Sequence, residues 1–230
     1  MSSEDFRGRL NENQITSELI LSGIELVIFD WSGVISDDRP PVYEANMRLL
    51  EKYGKPRMTF DEWLPRTTMT PIEFLANHGV HGDPDDLFEE YRQAYELVQE
   101  EGIVPIVYED TKEVLDELTN RGKRIAVVSS HPEENLRNEA EEYGLTDYFD
   151  SFFGNIRDKA QGLLKACEEA GIDPDKVVYI GDTIYDIQGA KKAGVSSIGM
   201  ATGYHIKDRL ANEEPDLVLE SLSGLLDSIE

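Results

Sequence analysis

Short apolar runs rich in β-branched residues recur at Leu26 to Phe29, Ile125 to Val128, Val177 to Ile180 and Ser197 to Met200, each ending in a polar or glycine-containing turn. Runs of this length predict strands. Between them the apolar positions return at helical spacing, over Thr111 to Arg121, Pro132 to Tyr143, Lys159 to Ala170 and Ile184 to Ala193. In the first of these segments Val114, Leu115 and Leu118 share one face. A glycine stands just past each segment, where a left-handed residue closes a helix. Strand and helix in alternation predict an α/β fold, a Rossmann-like parallel sheet covered on both faces.

The alternation stops between Asp37 and Val104. There the pattern is helical throughout, over Pro41 to Tyr53, Phe60 to Leu64, Pro71 to His78 and Asp85 to Glu100, with Pro40-Pro41 at the entry and Gly102 with Pro105 at the exit. The expected organisation is a core made of residues 1–36 and 105–230, interrupted by an α-helical cap domain over residues 37–104. Residues 1–22 are polar and are expected to pack loosely. The acidic run Asp83 to Glu101 reads as a solvated helix face. No repeat or low-complexity tract is present, and the pattern specifies no oligomeric state.

Composition narrows the function classes. The 230 residues carry 47 acidic against 22 basic side chains, a net charge of -25, which repels phosphate backbones and anionic lipid surfaces and argues against nucleic acid as a partner. No apolar run approaches the ~18 residues of a membrane span, and the first residues lack the basic-then-apolar layout of a secretion signal, so a cytoplasmic protein with no membrane partner is expected. Cys167 is the one cysteine, which removes disulfides and cysteine-based zinc sites. With this charge, an anionic substrate needs a local cation to receive it.

In open parallel sheets functional groups gather at the carboxyl ends of the strands. The first run is followed by Asp30 and then Trp31-Ser32-Gly33, the second by Ser129-Ser130-His131, and the third by Gly181-Asp182-Thr183-Ile184-Tyr185-Asp186; Lys159 opens the helix between the last two. Carboxylates converging at one sheet edge suit the hard cation Mg²⁺, which in turn binds phosphate oxygens. A carboxylate can attack phosphorus once metal and lysine neutralise the incoming charge.

In this order and spacing the sequence resembles the haloacid dehalogenase superfamily, whose four motifs are matched by Asp30, Ser129, Lys159 and Gly181-Asp182 with Asp186, while the helical insertion resembles that family's type 1 cap. The tail, with Gly203-Tyr204 and then Pro215-Asp216-Leu217-Val218, is similar to the phosphoglycolate phosphatase branch. The resemblance spans about residues 24 to 228 and implies a phosphohydrolase acting on a small phosphorylated metabolite, an essential Mg²⁺ and an aspartyl-phosphate intermediate. It implies that Asp30 is nucleophile and metal ligand, that Ser32 offers its backbone carbonyl and Asp182 a carboxylate to the metal, and that Asp186 makes an indirect or water-mediated contact. It implies further that Ser129, Ser130 and Lys159 hold the phosphoryl group, and that Gly33 lets the chain turn beneath it.

The sequence departs from the family at Ser32. Family phosphatases carry there a second aspartate that protonates the leaving group, and a serine hydroxyl is a poor acid and base near neutral pH, so slow hydrolysis is expected, with a term of ~10²- to 10⁴-fold missing. Two alternatives stand beside it. One is a catalytically impaired member that binds a phosphorylated ligand or a protein. The other is an enzyme like phosphonoacetaldehyde hydrolase, whose motif Asp-Trp-Ser-Gly resembles; its cap lysine is not matched, since the insertion holds only Lys52 and Lys55. Arg66, between two cap helices, is a candidate for gripping a substrate carboxylate, or a surface residue beside a turn. His131 is a candidate for the missing acid-base group, or for capping the helix that follows. His78 and His81 lack a third ligand for a metal site.

Overall fold

The computed structural model describes residues 23–228 of the chain, so the expectation for residues 1–22 lies outside the described residues. Six parallel strands form the main sheet: β1 (Leu26–Phe29), β4 (Arg124–Val128), β5 (Ser151–Phe153), β6 (Val177–Gly181), β7 (Ser196–Met200) and β8 (Leu217–Leu219). Their order in space is β5-β4-β1-β6-β7-β8. Two-residue strands β2 (Ser36–Asp37) and β3 (Ile106–Val107) pair separately.

Strand β1 lies at the centre with every residue buried, and so it reads as continuously apolar rather than alternating. Val27 and Phe29 pack on one side with Ile125, Val127, Val178 and Ile180, under Val114, Leu115 and Leu118 of α5 (Thr111–Asn120) and Leu136 of α6 (Glu133–Glu142). Leu26 and Ile28 pack on the other, with Val128 and Tyr179, against Ala160, Leu163 and Ala166 of α7 (Lys159–Ala170) and Ala190 of α8 (Ile184–Ala193). Trp31 is fully buried in the first layer; it lies parallel to the Tyr143 ring at 6.2 Å and its Nε1 donates to Glu139 at 2.7 Å. Cys167 is buried in the second layer.

Register brings the strand ends level. Phe29 stands opposite Val127 of β4 and Ile180 of β6, so Asp30, the residues after Val128 and Gly181-Asp182 leave the sheet at the same edge. The chain runs outward from β1 through β4 to β5, then returns to β6 on the other flank, so the strand order reverses at β1 and β6. A crevice at such a reversal is where open α/β sheets bind ligands.

The described chain divides into two compact units, one up to Ile35 and from Val107 onward, the other Ser36–Ile106. The second holds α1 (Arg39–Lys52), α2 (Phe60–Trp63), α3 (Pro71–Asn77) and α4 (Pro84–Glu100). The starts of α2, α3 and α4 are capped by side chains: Thr59 in a capping box with Glu62, Thr70 on Glu73, and Asp83 on Asp85 and Asp86. Tyr43, Phe60 and Trp63 pack edge to face around its interior, with centroids 5.4 to 5.5 Å apart. No described helix is long and apolar enough to cross a membrane.

Strands β5 and β8 and the short helix α9 (Lys207–Ala211) are not among the elements predicted above. Both strands are three-residue edge strands, too short to set up a period, and β8 is only half-buried.

Candidate active site

Lys159 is the first residue of α7, placed there by Asp158, whose carboxylate caps the helix through the amides of Ala160 and Gln161. From that position the ammonium reaches inward. Its Nζ lies 2.7 Å from Asp30 Oδ2, 3.0 Å from Asp186 Oδ1 and 2.8 Å from the Tyr179 hydroxyl. Burial works against the lysine's charge, but the Asp186 and Asp30 carboxylates outweigh it and hold the ammonium above the ordinary lysine range. Burial pushes the Asp30 carboxyl up, with the charge of Asp186 adding to it, against the pull of Lys159.

Asp186 is fixed by local sequence. Thr183 and Asp186 form a capping box at the start of α8, with the Thr183 amide and hydroxyl both donating to Asp186 Oδ2. Its other oxygen accepts from Tyr179 at 3.1 Å and faces Lys159. Burial works against its charge, but the Lys159 ammonium and the Thr183 hydrogen bonds outweigh that and hold the Asp186 carboxyl below the usual carboxylate range. Both oxygens are thus engaged, which makes Asp186 a support for Lys159. Tyr179, read in sequence only as part of an apolar strand, is the hidden member of this network. Its single hydroxyl proton lies equally close to the Val128 carbonyl, also at 3.1 Å, and burial holds its pKa well above the ordinary value. A tyrosine in an otherwise Val/Ile strand is the signal that a hydroxyl there has a partner.

Asp182 is buried and gripped by the loop after β7, where the Tyr204 amide donates to its Oδ2 at 2.7 Å. Gly33, at φ +73°, lies so close to the Asp182 carboxylate and the Gly203 backbone that a Cβ would collide with both. Thr202 donates its hydroxyl to the Gly33 carbonyl at 2.6 Å, tying the two loops together. The same loop carries His205, whose Nδ1 accepts the Ile184 amide at the start of α8. Burial, with Arg209 adding, pushes this imidazole from 6.5 down to about 4. The unfolded chain therefore binds a proton that the native state refuses, so this contribution is complete above about pH 6.5 and is lost as pH falls toward 4. We expect denaturant melts to show an acid-side loss of up to about 3 kcal/mol from this group, and His205→Gln to flatten that limb. An unchanged limb in the variant would contradict the assignment.

Ser129 is buried at the end of β4, while Ser130 beside it is exposed. Ser32 is half-buried, and its Oγ lies 3.0 Å from Nε2 of His131. Arg66 belongs to the helical unit; it is exposed and donates to the Glu62 carbonyl one turn back. Asp30, Ser32, Ser129, Lys159 and Asp182 are therefore all carried by one unit, at the ends of β1, β4 and β6 and the start of α7.

Asp30, Asp182 and Asp186 each offer an oxygen within 4.8 Å of the others, all three buried. Three buried carboxylates face one ammonium, an excess of two formal negative charges. Oxygen donors with that charge fit a hard divalent cation. Both oxygens of Asp30 and both of Asp186 have hydrogen-bonding partners, and each of the three carboxylates could still offer the cation a lone pair.

A Rossmann-like sheet carrying buried carboxylates and a lysine at its switch point defines a class of hydrolase, and comparison with known proteins identifies it. The model of the haloacid dehalogenase-like hydrolase family matches residues 27–200, and the chain belongs to that family. Its relatives by sequence include phosphoglycolate phosphatases. A phosphoglycolate phosphatase of Pseudomonas putida is 26% identical over 212 residues, covering 87% of this chain and 78% of that protein. One of Vibrio vulnificus is 28% identical over 219 residues, covering 90% and 96%. A solved haloacid dehalogenase-like hydrolase from Streptococcus pneumoniae superposes with a TM-score of 0.76 at 18% identity, over 89% of this chain and 98% of that one.

Proposed function

We propose that the chain is a Mg²⁺-dependent phosphohydrolase that cleaves a small phosphorylated metabolite through an aspartyl phosphate on Asp30. The observation that carries this reading is the pairing of Asp30 with Lys159 at 2.7 Å, buried beside Asp182 at the end of the central strand. Asp30 attacks phosphorus as the ester bond breaks, and water then hydrolyses the acyl phosphate and restores the carboxylate. Lys159, held charged by Asp30 and Asp186, meets the phosphoryl oxygens, and the Ser129 hydroxyl accompanies it. The cation, held by Asp30 and Asp182, supplies charge neutralisation for an anionic ester in a protein of net charge -25. Selectivity among esters is expected to be written in the helical unit rather than in this edge.

Relatives named as phosphoglycolate phosphatases support placing phosphoglycolate first in a panel of alkyl and aryl phosphates assayed with Mg²⁺. Turnover of at least one ester supports the reading; none across the panel contradicts it. Metal binding has its own readout. At about 100 times its Kd, Mg²⁺ is expected to stabilise the native state by ~2.7 kcal/mol in thermal melts, and Asp182→Ala to lose that gain. No shift in wild type, or an equal shift in the variant, would count against the metal site.

A further inference from the structure

An ammonium has three hydrogens to give, and in Lys159 the Asp30 carboxylate, the Asp186 carboxylate and the Tyr179 hydroxyl stand ready to take all three. In the proposed reaction one of them has to change hands. When the Asp30 carboxylate turns to phosphorus, the hydrogen that faced it becomes free to meet a phosphoryl oxygen, while Asp186 and Tyr179 keep the other two. The ammonium then has to stay where it is. A fourth acceptor stands close by, the Val128 carbonyl, 3.5 Å from Nζ. The Tyr179 hydroxyl proton lies 3.1 Å from that carbonyl and 3.1 Å from Asp186 Oδ1. Its oxygen therefore accepts from the ammonium, and its proton occupies the carbonyl that would otherwise draw the ammonium to itself.

The rest of the residue is fixed so that this oxygen cannot wander. Tyr179 stands on β6 opposite Ile28 of β1, and its ring is buried in the second layer with Leu26, Val128 and Ala160. Val178 and Ile180 on either side belong to the first layer, so a slip of one residue would carry the hydroxyl to the other face of the sheet. A valine or isoleucine at this position would be too short to reach the ammonium and would bring no oxygen. At its other end Lys159 is held by α8, where a Cβ on Gly189 would stand 2.6 Å from the Lys159 Cβ. Backbone packing thus fixes the base of the lysine stem, and a packed aromatic ring fixes its tip.

Resting on the phosphohydrolase reading, we propose that Tyr179 is a positioning residue for phosphoryl transfer, whose hydroxyl holds the Lys159 ammonium in place for the phosphoryl oxygens while Asp30 leaves its ion pair to attack. The tyrosine acts through Lys159 and moves no proton. Its contribution belongs to the moment of attack rather than to binding, because in the resting site the ammonium still has both carboxylates.

The test uses Tyr179→Phe, which keeps the ring and its packing and removes one oxygen. Leaving-group release from p-nitrophenyl phosphate, or from the best ester of the panel, is followed in single turnovers with Mg²⁺ over a range of enzyme in excess. These give a limiting rate constant for attack by Asp30 and the enzyme concentration at half-maximum. The variant is expected to lower the limiting constant at least ~10-fold, what one hydrogen bond to a charged group is worth, and to leave the half-saturating concentration nearly unchanged. A merely structural loss does the opposite: it reduces the active fraction, which raises the half-saturating concentration and spares the limiting constant. Crystal structures of wild type and variant give a reading free of activity, in which Nζ of the variant should close on the Val128 carbonyl to ordinary hydrogen-bond length, ~2.9 Å. A limiting constant equal to that of wild type, or an ammonium in its wild-type place, would overturn the positioning role alone. A wild type inactive on every ester of the panel would instead overturn the phosphohydrolase reading and the role with it.

Discussion

Asparagine in place of Asp30 is expected to lower phosphate-ester turnover at least ~10⁴-fold, on activated and unactivated esters alike, because the attacking oxygen is lost rather than weakened. The change should not unfold the protein. Asparagine still offers an oxygen to the Trp31 amide, which Asp30 Oδ1 accepts at 2.8 Å, and Lys159 keeps Asp186 as its partner. The variant also removes one of three negative charges clustered in a buried site, so without divalent cation it should melt no lower than wild type. Steady-state kinetics and melts on the same preparation check both halves. Residual turnover above about one part in a hundred, with the fold intact, would exclude Asp30 as the nucleophile.

Lys159→Ala is expected to cost the metal-free protein about 3–5 kcal/mol, the usual result of removing one partner of a buried ion pair. Asp30 and Asp186 would then face each other without a counter-charge, and the Tyr179 hydroxyl would lose its donor. The sign of the pH dependence follows from those carboxylates. Without the lysine Asp30, already raised by burial, rises further and Asp186 loses the charge that most lowers it, so the native variant binds more protons than native wild type and is stabilised relative to it as pH falls. Wild type and variant share His205, so its acid-side loss cancels in the difference between them. Urea melts at pH 7.5 and pH 5 should therefore show a gap that narrows at the lower pH. A gap below about 1 kcal/mol at pH 7.5 would mean that the lysine does not compensate these carboxylates.

The central strands were legible because they are buried on both faces. Leu26 to Phe29 and Val177 to Ile180 carry no charged or turn-forming residue that could confuse strand with loop, and the groups that follow them carry the chemistry. Edge strands β5 and β8 gave no comparable signal. For β5 the loss mattered, since the turn after it, with Gly154 and Asn155, holds the His131 segment. The site was legible as a set of residue types at strand ends, but its partnerships were not. Ser32 and His131 are 99 residues apart and meet only because β1 and β4 are neighbours in register. In the same way, the grip of Tyr204 on Asp182 depends on the loop after β7 folding back over β6. For Asp186 the resemblance implied an indirect contact with the metal, and the capping box with Thr183 and the bonds to Lys159 and Tyr179, none of them visible in the sequence pattern, are what hold its oxygens at the cluster.

A phosphoryl group carried by Asp30 is the intermediate on which the proposed reaction turns. Wild-type protein quenched with acid during turnover of p-nitrophenyl phosphate in Mg²⁺, then digested and sequenced by mass spectrometry, should carry one phosphoryl group on the peptide containing Asp30. The modification should vanish on treatment with hydroxylamine, as an acyl phosphate does. Steady turnover with that peptide unmodified, or with the phosphoryl group on any other residue, would contradict the assignment.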